Sequence, residues 1–578
     1  MLRSLVQCTL LILFLESVLL GQGVTDGRKT SLPSPGSASS SPAVPSSSPQ
    51  PTVSTVPDLA SDALSEAIRH YLHGEFDAAI QNYNLVLQKD PKSPDAYAGL
   101  TRVYLKQKKV EEAYETVTNG VKVTDAPVVH IALGEVYFRQ GKIPEAEQEW
   151  VNVINKGYPS ARAYWGLSRV RTALSLYQQA KEMLDKAYEL DHQDPDIQKY
   201  WINSLTRAEQ IQFWEKYLAS PTNDDAETRA DMQHHLDYLR AMQNQPHYAC
   251  RLVSHFPSTE TKLLRILTDL THMRGYALAV SLNGKKGNLV LDTGASGILI
   301  DRGLARKAGI TELSETDIGG IGDKGRTGGY VGFASSIKIG ELEFQDCRVS
   351  VIEKRSVLGD DGLIGGNVFG AFLVDIDFPN EKLRLKPLPK RPNENTTEVT
   401  LQTGKEGSVP SGDQSSGKAG PDPRAKSSPS AYHGPRDRYI APEMQSYTQV
   451  YRFGHALLVP TRIGDLTPRL FLLDTGGSMN LMSLKAAQES TKVRNNSRVQ
   501  VQGLSGSVAK VYSADKAVLQ FGHLQQEDQD VTTFDLSHLS DNVGTEISGV
   551  LGFTTLHFLE IRIDYRDGIV DFIYKPHP

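Results

Sequence analysis

The sequence predicts a multidomain protein in which an α-helical repeat region is followed by two all-β units. Length gives the first reason, because 578 residues exceed the roughly 250 to 300 residues that one hydrophobic core usually holds. The second reason is a regular spacing of small side chains in the first half of the chain. The third is a pair of matching segments in the second half, each of which ends an aliphatic run with an aspartate.

Composition excludes several classes of protein. The net charge is −6 and no basic block occurs, so we expect no nucleic-acid partner. The three cysteines, Cys8, Cys250 and Cys347, are too few for a disulfide-dense scaffold and show no zinc-type pairing. The mature protein has room for at most one disulfide, between Cys250 and Cys347, and the sequence leaves open whether it forms.

The N-terminal segment, residues 1–23, has the features of a secretory signal. Arg3 precedes a mostly apolar run, and the small residues Gly21 and Gly23 follow it. Glu16 interrupts the apolar run, and an uncleaved anchor is the alternative. No later segment reaches the roughly 18 apolar residues that cross a membrane. We therefore expect an exported protein, periplasmic or extracellular, without a membrane span after signal removal.

Two segments rich in Ser, Pro and Gly divide the rest of the chain. Such segments bury too little apolar surface to fold and are predicted to be flexible. The resulting plan is a signal peptide at 1–23, a tether at 24–58, helical repeats with capping helices at 59–240, a first β unit at 241–389, a linker at 390–446 and a second β unit at 447–578.

The helical region repeats every 33 or 34 residues. The repeated small residues are Ala79, Ala113, Ala146 and Ala180, preceded by Tyr71, Tyr104, Tyr137 and, at the fourth position, Arg171. A small residue allows two helices of a hairpin to approach, and the aromatic ring fills the space to the next hairpin. Together with Leu133-Gly134-x-x-Tyr137, this pattern resembles the tetratricopeptide repeat. The resemblance implies a concave surface for a peptide or protein partner; a structural spacer is the alternative.

Asp231, His234 and His235 lie within a predicted charged helix. Asp231 and His235 are one helical turn apart, a spacing that is compatible with metal binding. Polar residues on a charged helix are more often solvated, so we expect no metal site.

The two β units share a sequence pattern that extends well beyond one motif. LVLDTGASGILI at 289–300 matches LFLLDTGGSMNLM at 470–482, and GLIGGNVFGAFLVDIDF at 362–378 aligns without a gap on GVLGFTTLHFLEIRIDY at 549–565. An ionised carboxylate at the end of an apolar strand is unfavourable unless it is hydrogen-bonded, shifted in pKa or functional. Two such pairs in register indicate a duplicated all-β unit.

A glycine-rich stretch lies between the paired motifs of each unit, at 318–332 and at 501–514. No Gly-Lys-Ser/Thr follows either stretch, so a phosphate loop is excluded. A mobile hairpin that closes over a bound ligand fits better.

Together these motifs resemble the lobes of retropepsin-type aspartic proteases, in the wider class that includes the pepsins. The resemblance implies two all-β lobes that pair within one chain as a pepsin-like pseudo-dimer, and it implies no cofactor. By motif position, the catalytic aspartates are Asp292 and Asp474, and the residues that support their loops are Thr293, Gly294, Thr475 and Gly476.

The implied activity is hydrolysis of a peptide or protein substrate by an aspartic endopeptidase. Two carboxylates about 3 Å apart share one proton, because both cannot ionise. The ionised carboxylate activates a water, and the protonated one assists the oxyanion and the leaving amine. The motifs are alike, so the sequence does not assign acid and base. The alternatives are a catalytically silent peptide-binding scaffold, and a protein whose lobes only process its own tethers.

The residue after each Asp-Thr-Gly bears on pH. Pepsin-like enzymes typically carry Ser or Thr there, which donates a hydrogen bond to the catalytic carboxylate. This chain has Ala295 and Gly477, while Ser296 and Ser478 lie one residue later and are expected to point elsewhere. A missing donor leaves the carboxylate pKa values higher, so we expect cleavage at mildly acidic to near-neutral pH.

Overall fold

The computed structural model describes most of the chain from residue 59 onward. The described residues are 7–9, 13–14, 59–243, 250–267, 273–321, 327–352, 361–391, 438–496 and 498–575. The predicted tether at 24–58 and the central part of the linker, 392–437, lie outside these residues, as does most of the signal segment. None of the helices among the described residues is both long and apolar enough to cross a membrane.

The first structured region consists of eleven consecutive helices. They are α1 (Leu59–Leu72), α2 (Phe76–Lys89), α3 (Pro94–Lys106), α4 (Val110–Val123), α5 (Pro127–Arg139), α6 (Ile143–Asn155), α7 (Ala161–Ala173), α8 (Tyr177–Leu190), α9 (Pro195–Ile202), α10 (Arg207–Ala219) and α11 (Ala226–Met242). The first eight pack as four antiparallel hairpins, which confirms the helical repeat prediction.

The repeated small residues lie where the helices of each hairpin meet. Ala79, Ala113 and Ala146 are fully buried. Gly134 allows a similarly close approach, because a Cβ atom there would lie 2.5 Å from Nε1 of Trp150 on α6. Arg171, which replaces the expected aromatic, forms an ion pair with Glu147 at 2.6 Å and leaves the fourth hairpin intact.

Strands form the rest of the described chain. Two short ones lie near the N-terminus, β1 (Gln7–Thr9) and β2 (Leu13–Phe14). Lobe 1 contains β3 (Arg251–Leu252), β4 (Thr259–Lys262), β5 (Leu264–Leu267), β6 (Met273–Leu282), β7 (Lys285–Asp292), β8 (Ile298–Asp301), α12 (Arg302–Lys307), β9 (Ser314–Gly320), β10 (Thr327–Ile339), β11 (Leu342–Ile352), β12 (Gly362–Gly365), β13 (Phe372–Asp377) and β14 (Lys382–Pro387).

Lobe 2 repeats this order. Its elements are β15 (Thr448–Gln449), β16 (Tyr451–Phe453), β17 (Ala456–Ile463), β18 (Arg469–Leu473), β19 (Leu481–Ser483), α13 (Leu484–Ser490), β20 (Val493–Asn495), β21 (Gln500–Gly503), β22 (Gly506–Ser507), β23 (Tyr512–Phe521), β24 (Leu524–Phe534), α14 (Ser537–Val543), β25 (Gly549–Leu551), α15 (Phe553–Leu556), β26 (Leu559–Asp564) and β27 (Ile569–Tyr574). The short strands β1 and β2 pair with β21 and β9, respectively.

The two lobes share one topology around their aspartate loops. In lobe 1, β12 pairs parallel with β7 and antiparallel with β8. In lobe 2, β25 pairs in the same way with β18 and β19. The lobes then join through a six-stranded sheet of order β15-β27-β26-β13-β14-β4, in which β13 of lobe 1 pairs antiparallel with β26 of lobe 2. The predicted pseudo-dimer is therefore present within one chain.

Lobe 1 contains the disulfide that the sequence left open. Cys250 and Cys347 are bonded, with Cα atoms 4.3 Å apart. The bond fastens the start of the lobe to β11, beside the pairing of β3 with that strand.

The segment next to lobe 2 that was predicted as linker is structured where it is described. Residues 438–446 pack against lobe 2: the Tyr439 amide donates to Asp567 at 2.9 Å, and Met444 is buried against Ile569. On the side of lobe 1, Arg391 forms an ion pair with the same Asp567. The predicted linker is therefore anchored at both ends.

The helical region shares a hydrophobic core with lobe 2. The rings of Phe138 and Phe453 lie 5.7 Å apart, and Leu470 belongs to the same buried cluster. The Thr545 hydroxyl donates to the Phe138 carbonyl at 2.7 Å. Contact with lobe 1 runs through α11, where the Arg348 guanidinium lies 4.4 Å from the Tyr238 ring centre.

Candidate active site

Asp292 and Asp474 occupy equivalent places at the interface between the lobes. Asp292 is the last residue of β7, and Asp474 directly follows β18. Both side chains are fully buried. Each lies against the glycine of the other loop: a Cβ atom on Gly294 would be 2.9 Å from Cγ of Asp474, and one on Gly476 would be 2.4 Å from Cγ of Asp292. The fold thus brings together two carboxylates that lie 182 residues apart in sequence, from 292 to 474.

The two threonines hold the loops together through reciprocal hydrogen bonds. The Thr293 hydroxyl donates to the Leu473 carbonyl at 2.8 Å, and the Thr475 hydroxyl donates to the Leu291 carbonyl at 2.8 Å. Each threonine amide also donates to the other threonine's hydroxyl at 3.0 Å. Four buried hydrogen bonds therefore fix the distance between the loops, as the resemblance implied for Thr293 and Thr475.

The loop backbones orient one oxygen of each carboxylate. The Gly294 amide donates to Oδ1 of Asp292 at 2.8 Å. Oδ1 of Asp474 accepts two amides, from Gly476 and Gly477, both at 2.9 Å. The other oxygen of each group, Oδ2, is buried and has no hydrogen-bond partner outside the pair among the described residues. These two oxygens are available for a shared proton and a water.

Burial raises the pKa of both carboxylates, and the neighbouring charge adds to the shift at Asp292. Burial raises the pKa of Asp292 well above its usual range, and the charge of Asp474 adds to that shift. Burial raises the pKa of Asp474 to about 7, while hydrogen bonds from Asp292, Gly477 and Gly476 oppose the shift. The pair therefore keeps one proton into the near-neutral range.

The residues after each Asp-Thr-Gly supply no side-chain hydrogen bond to the carboxylates. Ala295 is fully buried and offers no donor from its side chain. The Ser478 hydroxyl is buried without a hydrogen-bond partner among the described residues, so it does not donate to Asp474.

Glycines and amides that the sequence analysis did not assign support the loops from below. A Cβ atom on Gly365 would lie 2.5 Å from the Ala295 carbonyl oxygen, and one on Gly552 would lie 2.1 Å from that of Met479. Asn367 accepts the Gly297 amide at 3.0 Å, and Asn480 accepts the Gly552 amide at 2.9 Å. The duplicated aliphatic-Gly motif signalled the glycines, but Asn367 and Asn480 lie at non-equivalent positions and left no repeated signal.

The glycine-rich hairpins of the two lobes contact each other. Hairpin β9–β10 is the flap of lobe 1, and residues 500–507 form the flap of lobe 2. The Ser505 amide donates to the Ile321 carbonyl at 3.0 Å, and the Gly320 amide donates to the Ser505 hydroxyl at 3.0 Å. Both lobes therefore contribute a flap, and the two flaps are joined by direct hydrogen bonds.

Tyr565 is a further residue near the site that the motifs did not reveal. Its fully buried hydroxyl lies over Gly366, where a Cβ atom would be only 2.2 Å from it. Burial raises the pKa of Tyr565, and the charge of Asp292 adds to the shift. Arg452 donates to the Tyr565 carbonyl at 2.7 Å and fixes this residue beneath the loop.

Family comparisons agree with this geometry. A family model described as Aspartyl protease matches residues 278–368 and 459–555. Two models described as Tetratricopeptide repeat match residues 70–125 and 131–195.

Similar proteins cover only parts of the chain. Tetratricopeptide repeat protein 21B of Homo sapiens is 32% identical over 98 residues, or 16% of this chain and 7% of that protein. The UBA domain-containing protein Mud1 of Schizosaccharomyces pombe is 32% identical over 108 residues, or 18% of this chain and 31% of that protein. The chain thus spans less than a third of either relative.

Two solved structures have some likeness to parts of this chain. A thermophilic TPR protein of Thermus thermophilus is 20% identical with a TM-score of 0.25, covering 31% of this chain and 98% of that one. The MamA protein is 20% identical with a TM-score of 0.19, covering 28% of this chain and 91% of that one. Scores this low add nothing about the fold. On the family models and the described geometry, the chain carries a tetratricopeptide repeat region followed by two aspartyl protease domains of the retropepsin type.

Proposed function

We propose that this protein is an exported aspartic endopeptidase that hydrolyses peptide bonds with the Asp292–Asp474 pair. One observation carries the proposal: two buried carboxylates face each other across the lobes, each with one oxygen held by loop amides and one left for chemistry. A protein that only binds peptides has no need of two buried acids whose repulsion disfavours ionisation.

The hydrogen bonds favour different roles for the two acids. Asp474 accepts two amides at 2.9 Å, whereas Asp292 accepts one at 2.8 Å, from Gly294, with a smaller contribution from the Ala295 amide, so the negative charge is better stabilised on Asp474. In this assignment Asp474 takes a proton from a water, whose oxygen attacks the substrate carbonyl carbon. Asp292, protonated, donates to the developing oxyanion. A proton then passes to the amide nitrogen as the C–N bond breaks.

Substitution of each aspartate tests the activity. Asp292→Asn and Asp474→Asn should each lower cleavage of an unstructured reporter peptide by at least about a hundredfold, the usual contribution of a positioned acid or base. Asp465→Asn, at an exposed position of lobe 2, is the matched control and should cleave normally.

The outcomes separate the alternatives. Wild-type protein that binds the peptide but never cleaves it would support the silent scaffold. Cleavage of the tethers alone, with no turnover of added peptide, would support self-processing. Near-normal activity in either Asn variant would contradict the dyad.

The helical region is proposed to bind a partner or substrate peptide in its concave face. A cavity of about 320 Å³ lies there, closed on one side by the start of α11 and by Asp541 of α14. Arg169 lines it and is 8% exposed, between the rings of Phe138 and Trp165 at 3.8 and 4.7 Å. Its Nε atom has no hydrogen-bond partner among the described residues, which favours a ligand with an acidic group.

Peptide binding tests this role of the helical region. Acidic peptides should bind more tightly than their amide counterparts, and Arg169→Met should weaken that binding by roughly tenfold. Arg171→Met, at a position outside the cavity, is the control. Equal binding by acidic and amide peptides would contradict the assignment.

Export is proposed from the apolar segment at 1–23, and the Cys250–Cys347 bond supports an oxidising compartment. N-terminal sequencing of protein from the producing cell is the test. A mature chain that begins near residue 22 or 24 is expected, and a chain that retains Arg3 would contradict signal cleavage.

A further inference from the structure

A cluster of potential metal ligands joins the helical region to the flap of lobe 1. Asp231 and His234 lie three residues apart on α11, and Asp317 lies on β9. One ligand atom from each falls within 4.8 Å of the others. Nδ1 of His234 and Oδ2 of Asp317 are 3.5 Å apart, just beyond a direct hydrogen bond.

An ion-sized cavity at the same place is an independent observation. It encloses about 30 Å³, and its lining includes the three cluster residues together with Glu315 and Arg348. Apart from its two histidines, the lining has three carboxylates and one guanidinium, which together give a net charge of −2. The Arg348 guanidinium is drawn toward the Tyr238 ring, 4.4 Å from its centre. A dication placed in the cavity would neutralise the lining.

We propose that Asp231, His234 and Asp317 bind a divalent transition-metal ion such as Zn²⁺. One imidazole nitrogen and two carboxylate oxygens are a ligand set that suits such ions and leaves further positions to water. His234 donates no chemistry to the peptidase site, so this ion is structural or regulatory. The side chains of His234 and Asp317 are each 37% exposed, so an ion reaches them from solvent.

The bound ion fastens one strand of a flap to a helix outside the protease lobes. From Asp317, β9 runs to Gly320 and then to Ile321, which accepts the Ser505 amide of the opposite flap at 3.0 Å. A clamp at Asp317 therefore holds the flaps in their joined arrangement, and substrate entry requires that they part. This regulatory consequence rests on the proposed peptidase function, whereas the metal site does not.

Metal binding is measured first, without reference to activity. The untagged full-length Asp292→Asn protein, freed of metal by a chelator, is titrated with Zn²⁺ in a calorimeter. One ion per chain is expected, and His234→Ala and Asp317→Asn should each weaken binding by about tenfold or more. The exposed His255, in the same protein, provides the control His255→Ala. No stoichiometric binding, or binding that both ligand variants leave unchanged, would overturn the site.

The clamp is then tested with active protein. Zn²⁺ should slow peptide cleavage by the wild type and leave cleavage by Asp317→Asn unaffected. If Zn²⁺ binds at the site but wild type and Asp317→Asn respond alike, the clamp is wrong and the metal site stands. If the protein cleaves no peptide at all, the proposed function fails while the calorimetric result still decides the site.

Discussion

The two protease lobes present the same loop to each other but surround it with different side chains. In the aligned segments 362–378 and 549–565, Gly366 of lobe 1 corresponds to Phe553 of lobe 2. Phe553 packs edge-on against Tyr276 and Phe378 of lobe 1, at centroid distances of 5.6 and 6.1 Å. In the opposite direction, Tyr565 of lobe 2 covers Gly366 of lobe 1. A large residue of lobe 2 thus meets a matching space in lobe 1 at both positions.

This difference explains why unlike lobes pair. In a pair formed by two copies of lobe 1, Phe378 would lie over Gly366. The space that Phe553 fills in the observed pair would then be empty. Two copies of lobe 2 would bring Phe553 and Tyr565 into the same space. Cavities and overlaps are both unfavourable in a packed interface. The unlike pair fills both positions.

The lobes also differ in their contact with the helical region. Lobe 2 shares a continuous core with α5 to α7, whereas lobe 1 touches α10 and α11 mainly through its flap and Val331. Lobe 2 is therefore part of one core with the repeats, whereas lobe 1 contacts the helical region chiefly at its flap. Substitutions on the two sides should separate a loss of stability from a change in activity.

The largest effect is expected at the shared core. Phe453→Ala removes a ring that packs against Phe138, and it should lower the free energy of unfolding by about 3 to 5 kcal/mol. Denaturant unfolding measures the loss. Phe256→Ala in lobe 1, where the ring is 59% exposed, is the control and should change little. Equal losses in both variants would contradict the shared core.

A smaller loss is expected where Tyr565 covers Gly366. Gly366→Ala would place a methyl group 2.2 Å from the tyrosine oxygen, at a cost of roughly 1 to 3 kcal/mol. Peptide cleavage should fall as well, because the same methyl group approaches Thr293.

Removal of the Tyr565 hydroxyl provides the control for this prediction. Tyr565→Phe should recover much of the stability in the double variant, whereas Gly328→Ala, with open space around it, should have little effect alone. Failure of Tyr565→Phe to help would mean that Thr293, not Tyr565, limits the residue at 366.

The sequence predicted the features that occur in both lobes and missed the contacts that occur only once. The duplicated motifs located both aspartates, both threonines and the glycine within each Asp-Thr-Gly loop, because each position appears twice in register. The contact of Tyr565 with Gly366 occurs once, and so does the disulfide. No repeated sequence pattern therefore reveals either of them. The proposed metal site shows the same limit: the sequence weighed Asp231 and His235 on one helix and favoured no metal, whereas the proposed site uses His234 and adds Asp317 from a distant strand. Contacts of this kind depend on how separate elements dock.

The burial of the two aspartates should lower the stability of the protein at high pH. Both pKa values are raised in the folded protein, so between about pH 4 and 7 the folded chain binds more protons than the unfolded chain. The stability that these raised pKa values contribute is fully present at low pH and is lost as pH rises. Asp292→Asn removes the repulsion and should stabilise the protein at pH 8 by at least ~1 kcal/mol, and by less at pH 5. Thermal unfolding at both pH values measures this, with Asp465→Asn as the control. A variant that is less stable at pH 8 would contradict it.

The smallest effect is expected from restoring the hydroxyl that the loops lack, and the lobes differ in whether they accept it. At Gly477 a Cβ atom would lie 2.8 Å from Oδ2 of Asp474, so a serine there would displace the carboxylate. Ala295 already has a Cβ atom, so Ala295→Ser adds only the hydroxyl.

A donor to the charged form of Asp292 favours ionisation, lowers the pKa of the pair and moves the pH profile of peptide cleavage toward acid. We expect a shift of up to about one pH unit with little loss of maximal rate, since a shift of that size corresponds to about 1.4 kcal/mol, within the range of one charged hydrogen bond. Ser296→Ala, one residue later, is the matched control and should leave the profile unchanged. A shift in the control but not in Ala295→Ser would identify Ser296 as the donor, and a wild-type profile centred near pH 3 would show that the missing hydroxyl does not set the pH range.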